Sequence, residues 1–224
     1  MKKRILSILL LCCMVLTMLP TTVLAADGPM DTIPKYDVSI DVYNRTSDIS
    51  IKDSRSYYIY SSVPDKLRDT WAWDKKIFIK GDKTAPHVFI DGVNIKMSPS
   101  SKGPAIELNK KASAYLYFIG KDSSLQGADG RAAIQKNRSE GQLYVLARTG
   151  TTVTCKGGDK AAGIGGSYAT RNISNGYYNG DMYGHGVNMH FGSQSNPDYW
   201  GGTIAAIGGN GGAGIGGGQG VATI

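Results

Sequence analysis

A chain of 224 residues with 30 glycines, 13 tyrosines and a formal charge of +7 has the length for one domain with its own core, and its cations are too scattered for the concentrated basic stripe of a nucleic-acid binder. Beyond the N-terminus the longest cationic runs are the pairs Lys75-Lys76 and Lys110-Lys111, enough only for weak attraction to an acidic polymer or wall.

The chain opens Met1-Lys2-Lys3-Arg4, runs apolar from Ile5 to Leu19, and reaches Val23-Leu24-Ala25. A basic head, an apolar middle and a small residue before the cut are the parts of a secretory signal peptide, so residues 1–25 are expected to leave, with Ala26 as the alternative boundary. Removing three cations and no anions brings the charge to +4. It also removes Cys12 and Cys13, and Cys155 is then alone, so no intramolecular disulfide forms. The expectation is a secreted or cell-surface protein of a Gram-positive bacterium, a monomer with no membrane span after cleavage.

Residues 26–36, with Gly28, Pro29 and Pro34, read as a flexible leader. Residues 37–60 alternate, with Val38, Ile40, Val42, Ile49, Ile51, Tyr58 and Tyr60 at spaced positions. That is the period of half-buried strands, interrupted by turn formers at 44–47 and 53–56; an irregular N-terminal cap is expected here. Residues 61–76, with Pro64, Leu67, Trp71 and Trp73 among charges, read as a short helix or a covering loop. Strand-like runs follow at Lys75–Lys80 and His87–Met97, and further short apolar runs at 105–108, 115–119, 132–135 and 142–147, separated by Gly, Asn, Lys or Ser corners.

From residue 150 the chain repeats itself. Thr152, Val153, Gly157-Gly158 and Ala162–Gly166 recur 51 residues later as Thr203, Ile204, Gly208-Gly209 and Ala213–Gly217. Fainter copies precede them: Ala132-Ala133-Ile134 lies 30 residues before Ala162-Gly163-Ile164, and Pro104-Ala105-Ile106 lies 28 before that. A β-branched run favours a pleated strand, and glycine supplies corners where backbones approach closely. One such unit cannot bury its apolar residues, whereas stacked units can. The expected architecture is an all-β parallel β-helix over 37–224, with Ile134, Ile164 and Ile215 in one interior column, Cys155 buried in a strand opposite Ala206, and an insertion of about twenty residues within 167–200. The final Gly220–Ile224 reads like the start of another repeat, as though the chain were cut within it.

The succession Val88-Phe-Ile-Asp-Gly-Val-Asn-Ile95, Gly103-Pro-Ala-Ile106, Tyr115-Leu-Tyr-Phe118, Arg131-Ala-Ala-Ile-Gln135 and Ala162-Gly-Ile-Gly-Gly166 resembles the secreted, clostridial-type carbohydrate-binding domain-containing proteins, over roughly residues 75–224. The resemblance implies a single-stranded right-handed parallel β-helix of the pectate-lyase type and non-catalytic binding of plant or cell-surface polysaccharide. The segment 167–200 departs from it.

That segment is also the richest in ligand-binding candidates. It holds Tyr168, Tyr177, Tyr178, Asp181, Tyr183, Tyr199 and Trp200, interleaved with asparagines. A sugar ring has an apolar face and a hydroxyl rim, and is met by aromatic area with a polar tip plus planar amide or carboxylate groups. The alternative is that these aromatics fold back and cover the coil. A second candidate is a tyrosine stripe along the axis, made by whichever of Tyr57, Tyr58, Tyr60, Tyr115, Tyr117 and Tyr144 the strand alternation turns outward. Asp129 and Asp159 occupy equivalent corners and are calcium candidates through oxygen ligation; no other cofactor is implied. His185 and His190 lack the partners of a zinc site. Gly212–Gly217 matches the spacing of a dinucleotide loop but lacks the following helix. With Glu107 and Glu140 the only mature glutamates and no adjacent aspartates, the paired carboxylates of a polysaccharide hydrolase are missing, so no enzyme is expected. A surface adhesin or repeat stalk, and a divergent polysaccharide lyase using Arg131 with Asp129 and Asp159, are the alternatives to polysaccharide binding.

Overall fold

The computed structural model describes residues 34–98, 103–109, 111–137, 140–168, 186–193, 195–196 and 198–218. The expected signal peptide (1–25), most of the leader, the candidates Tyr177, Tyr178, Asp181 and Tyr183, and the terminal 220–224 lie outside these residues. The fold described here belongs to the compact unit that begins at Lys35.

Sixteen short strands follow one another among the described residues. In chain order they are β1 (Val38–Asp41), β2 (Ile49–Ile51), β3 (Ser56–Tyr60), β4 (Ile77–Lys80), β5 (His87–Asp91), β6 (Asn94–Lys96), β7 (Ile106–Asn109) and β8 (Ala114–Ile119). They continue with β9 (Ser123–Gln126), β10 (Ile134–Lys136), β11 (Leu143–Ala147), β12 (Thr152–Lys156), β13 (Ile164–Gly165), β14 (Met189–Phe191), β15 (Thr203–Ile207) and β16 (Ile215–Gly216). No consecutive strands pair. Sheet A takes β1-β3-β5-β8-β11-β14, sheet B takes β2-β4-β7-β10-β13-β16, and sheet C takes β6-β9-β12-β15. Every named pairing is parallel. The chain therefore winds through sheets A, C and B in turn, making four complete three-sided coils from β5 onward. This is the expected all-β parallel solenoid.

The N-terminal part joins the same lattice. β1 pairs with β3 at four consecutive positions, and β2 with β4 at three. The irregular stretch is 61–76, which contains one 3-10 turn at Asp65–Leu67. There Trp73 makes a single parallel bridge to Ile95, so it stands where sheet C would otherwise have another strand. Its ring is buried, and its indole N–H donates to the Arg45 carbonyl at 2.8 Å. A buried indole needs such an acceptor.

Alternation decides what fills the coil. The first position of each sheet B strand is isoleucine, and the register places Ile49, Ile77, Ile106, Ile134, Ile164 and Ile215 in one column. The expected trio is thus part of a six-membered ladder. The first five are buried and Ile215, on the last described coil, is 47 % exposed. Cys155 pairs with Leu125 and Ala206 in sheet C and is wholly buried. Burial pushes its thiol pKa far up, which makes it an inert packing residue.

The extra length of the last coil enters at two corners. Leu143 pairs with Met189, 46 residues on, whereas Ala114 pairs with Leu143, 29 on. Thr152 pairs with Thr203, 51 on, so a further five residues enter between β14 and β15. The strand β14 divides the two excursions and returns to sheet A in register.

One inward position breaks the apolar pattern. Lys136 continues the column Ile51, Ile79, Leu108 and is 1 % exposed. Burial lowers its pKa to about 8, against an opposing pull from Glu140. In the unfolded chain a lysine keeps its proton to about pH 10.4. Between these two pH values the unfolded state binds more protons, so the lysine's contribution to stability rises with pH. Urea unfolding of the native chain and Lys136→Met at pH 7, 8, 9 and 10 is expected to show the native chain gaining on the variant as pH increases. Identical pH slopes would remove this reading of Lys136.

Candidate functional site

The outward positions of sheet A carry rings at nearly every rung. The register Ser56, His87, Tyr115, Tyr144, His190 forms one column. Its four rings stack along the coil axis. Centroids are 4.6 Å apart for His87 and Tyr115, 4.5 Å for Tyr115 and Tyr144, and 4.4 Å for Tyr144 and His190, with interplanar angles of 4°, 7° and 13°. Parallel in-register strands force this: neighbouring backbones lie about 4.8 Å apart, close to the separation that stacked rings prefer.

A second column holds Tyr58, Phe89 and Tyr117, followed by Leu146. Tyr36 stacks on Tyr58 at 5.2 Å, and Tyr58 stacks on Tyr60 at 5.1 Å. Phe89 stacks on Tyr117 at 4.9 Å. Tyr58, Phe89 and Ile119 are buried in a satellite cluster outside the coil, with Tyr60, Tyr117 and Trp200 packed against it. The expected tyrosine stripe is therefore present as Tyr58, Tyr60, Tyr115, Tyr117 and Tyr144. Tyr57 alone points inward, into the main core, and its hydroxyl donates to Asp53 at 2.8 Å.

Three of the residues expected from the 167–200 segment are described. Tyr199 and Trp200 join the face of sheet A: the Trp200 ring lies 5.1 Å from Tyr117, tilted by 39°, and meets Tyr199 edge-on at 4.6 Å. Their turn is fixed at the corner after β11. The Thr149 amide donates to the Tyr199 carbonyl at 2.9 Å, its hydroxyl donates to the Asp198 carbonyl, and the Gly201 amide donates to that hydroxyl at 3.1 Å. Trp200 thus covers part of the coil, as in the covering alternative, while remaining half-exposed. Tyr168 lies elsewhere. Its amide donates to the Gly130 carbonyl at 3.0 Å and Lys160 sits over its ring at 5.1 Å, at the corner between sheets C and B. Tyr168 and the Tyr199–Trp200 pair do not converge.

The polar tips on sheet A divide into engaged and free. The Tyr58 hydroxyl donates to Asp91 at 2.8 Å; burial first, and then this carboxylate, push its pKa far up. The Tyr117 hydroxyl lies 3.0 Å from His87 Nδ1, and His190 Nε2 lies 2.7 Å from Gln142 Oε1. The hydroxyls of Tyr115 and Tyr144 have no hydrogen-bond partner among the described residues, and both side chains are half-exposed.

Sheet B presents a different outward surface. The Lys76 ammonium donates to Glu107, whose other oxygen accepts from the Asn137 amide at 2.8 Å. Asn137 is in turn bonded to Gln135, and Gln135 to Ser167. Glu107 is thus held in a polar chain. Asp129 and Asp159 occupy successive exposed corners, bridged by the Gly130 amide donating to the Asp159 carbonyl at 2.9 Å. Among the described residues no group of three or more His, Cys, Asp or Glu could hold a metal ion, and no helix is long and apolar enough to cross a membrane.

His87 and Phe89 belong to the face without having been singled out from the sequence, and His190, weighed there only as a zinc ligand, belongs to it as a stacked ring. His87-x-Phe89 and Tyr115-x-Tyr117 are 28 apart, a signal that the spacing of the repeats carries. His190 is displaced by the longer excursion, which hides it from any fixed period. Comparison with family models, curated proteins and solved structures finds no match to this chain.

Proposed function

We propose that the protein is a secreted, non-catalytic polysaccharide-binding solenoid of the bacterial cell surface, acting as a monomer, and that plant or bacterial wall polysaccharide lies on the outer face of sheet A. The observation that carries the reading is the strip of rings along one face: half-exposed Tyr115, Tyr144 and Trp200 beside the satellite cluster. Amphipathic rings with polar tips suit a ligand that alternates C–H surface and hydroxyls. The absence of a carboxylate from the His87–Tyr115–Tyr144–His190 column and the engagement of Glu107 by Lys76 and Asn137 support binding without cleavage.

One observation favours the stalk alternative. In the four-ring column the three contacts cover both faces of Tyr115 and Tyr144 and one face each of His87 and His190, so the stack also serves to stiffen the sheet. Pull-down of the secreted chain with insoluble cellulose, pectin and bacterial cell walls separates the two. Polysaccharide binding predicts retention on at least one of these, lowered about tenfold by Trp200→Ala, since aromatic anchors carry most of such binding. A stalk is retained by none of them, and that result would end the proposal.

A further inference from the structure

If the face of sheet A binds polysaccharide, its chemistry narrows what it can hold and how. Aromatic platforms bind sugars through the open face of a ring. For Tyr115 and Tyr144 neither face is on offer: separations of 4.4 to 4.6 Å and interplanar angles of 4° to 13° leave no gap for a ligand between the rings of the column. What faces outward is the edge of each ring and its polar tip.

Those tips are unequal. Tyr58 is committed to Asp91, and the Tyr117 hydroxyl to His87 Nδ1. Tyr115 and Tyr144 carry the hydroxyls of the column, lie on adjacent rungs, and have no hydrogen-bond partner among the described residues. On the next rung His190 Nε2 lies 2.7 Å from Gln142 Oε1, a bond that leaves His190 Nδ1 and the Gln142 amide nitrogen unused. Below them His87 uses Nδ1 and keeps Nε2. A phenol both donates and accepts, an amide nitrogen donates, and a neutral imidazole does one at each nitrogen. The column contains no lysine, arginine, aspartate or glutamate.

We infer that the Tyr115 and Tyr144 phenols, flanked by His87, His190 and Gln142, form a hydrogen-bonding strip that reads the hydroxyl edge of an uncharged polysaccharide, and that the rings of this column are scaffold. The inference rests on the polysaccharide-binding reading and adds the ligand class and the atoms responsible. It separates two roles that a tyrosine ladder could have. A face-on platform tolerates loss of the hydroxyl and fails when the ring is removed. A strip of phenol tips fails when the hydroxyl alone is removed, because buried or ordered partners on the sugar are left unpaired.

The test is affinity electrophoresis of the secreted chain through gels containing barley β-glucan, galactomannan or polygalacturonate, using the native chain, Tyr115→Phe, Tyr144→Phe, the double variant and Trp200→Ala. Phenylalanine keeps the stack, and unchanged thermal melting verifies this. The expected result is retardation by one of the neutral polymers. Each single phenylalanine variant should weaken it about threefold to tenfold, and the double variant by about tenfold or more, as loss of one or two neutral hydrogen bonds requires. Retardation by a neutral polymer that survives the double variant but is lost in Trp200→Ala overturns the phenol strip and leaves polysaccharide binding standing. Preference for polygalacturonate overturns the ligand class in the same way. No retardation in any gel overturns both readings.

Discussion

Replacing Phe118 by alanine is expected to lower the unfolding free energy by about 3–5 kcal/mol, the range for a large aromatic deleted from a core that cannot collapse around the gap. Phe118 is 0 % exposed and points into the coil from β8. Its rung partners are Ile90 on one side and Ala147 on the other, so the ring fills space that the small Ala147 leaves. The walls around it are strands tied to their neighbours at about 4.8 Å by backbone hydrogen bonds, and they cannot close inward without breaking register. At two to four degrees per kcal/mol for a domain of this size, the melting temperature should drop by about 10 °C. Circular dichroism melting of the two chains checks this. A shift of under two degrees would mean that the interior around β8 is loosely filled.

Gly158→Ala is the second large effect, through the opposite fault. A β-carbon at Gly158 would lie 1.9 Å from the Ala128 carbonyl oxygen and 2.5 Å from its carbon. These are backbone atoms of the coil below, which the Gly158 amide's own bond to the Arg131 carbonyl at 2.9 Å holds in place. Gly209 repeats the arrangement one coil on, 1.8 Å from the Gly158 oxygen, which is why both repeats carry Gly-Gly at this corner. One methyl group must therefore push two coils apart. The expected cost is about 3 kcal/mol, the upper part of the overpacking range. The control is Gly150→Ala, where nothing lies within 4 Å and only the backbone angle of +83° resists; its cost is expected to be about 1 kcal/mol. Urea midpoints that fail to separate the two variants would sink the close-packing account of the corner.

The solenoid was legible because its units are nearly copies. Matching Thr152-Val153 to Thr203-Ile204 predicts the pairing of β12 with β15 residue for residue, and the small-apolar-small corner places Ile134, Ile164 and Ile215 in their common column. Earlier coils share the geometry without the motif, so Ile49 and Ile77 join that column through register alone. The candidate face was half legible. Alternation turns Tyr58, Tyr115, Tyr117 and Tyr144 outward, but only the three-dimensional register shows that His87 and His190 close the stack at either end. The 167–200 segment misleads in another way. Its aromatics are neighbours in sequence, yet β14 lies between Tyr168 and Trp200 and sends them to different sides of the coil. Lys136 was unreadable as an interior residue, because a charge after Ile134-Gln135 looks like a corner until the pairing with Leu108 fixes its direction.

The wide spacing between Leu143 and its partner Met189 bears on how such a molecule can diversify. The β13–β14 connection has 23 residues against six between β10 and β11, and a loop lengthened about fourfold adds roughly 1 kcal/mol of closure entropy, about what one good hydrogen bond supplies. A vertex of the prism can therefore acquire, exchange or lose a whole peptide segment while the rungs on either side keep their alignment. Novelty can accumulate at the vertices by recombination, leaving the ringed wall between them unaltered.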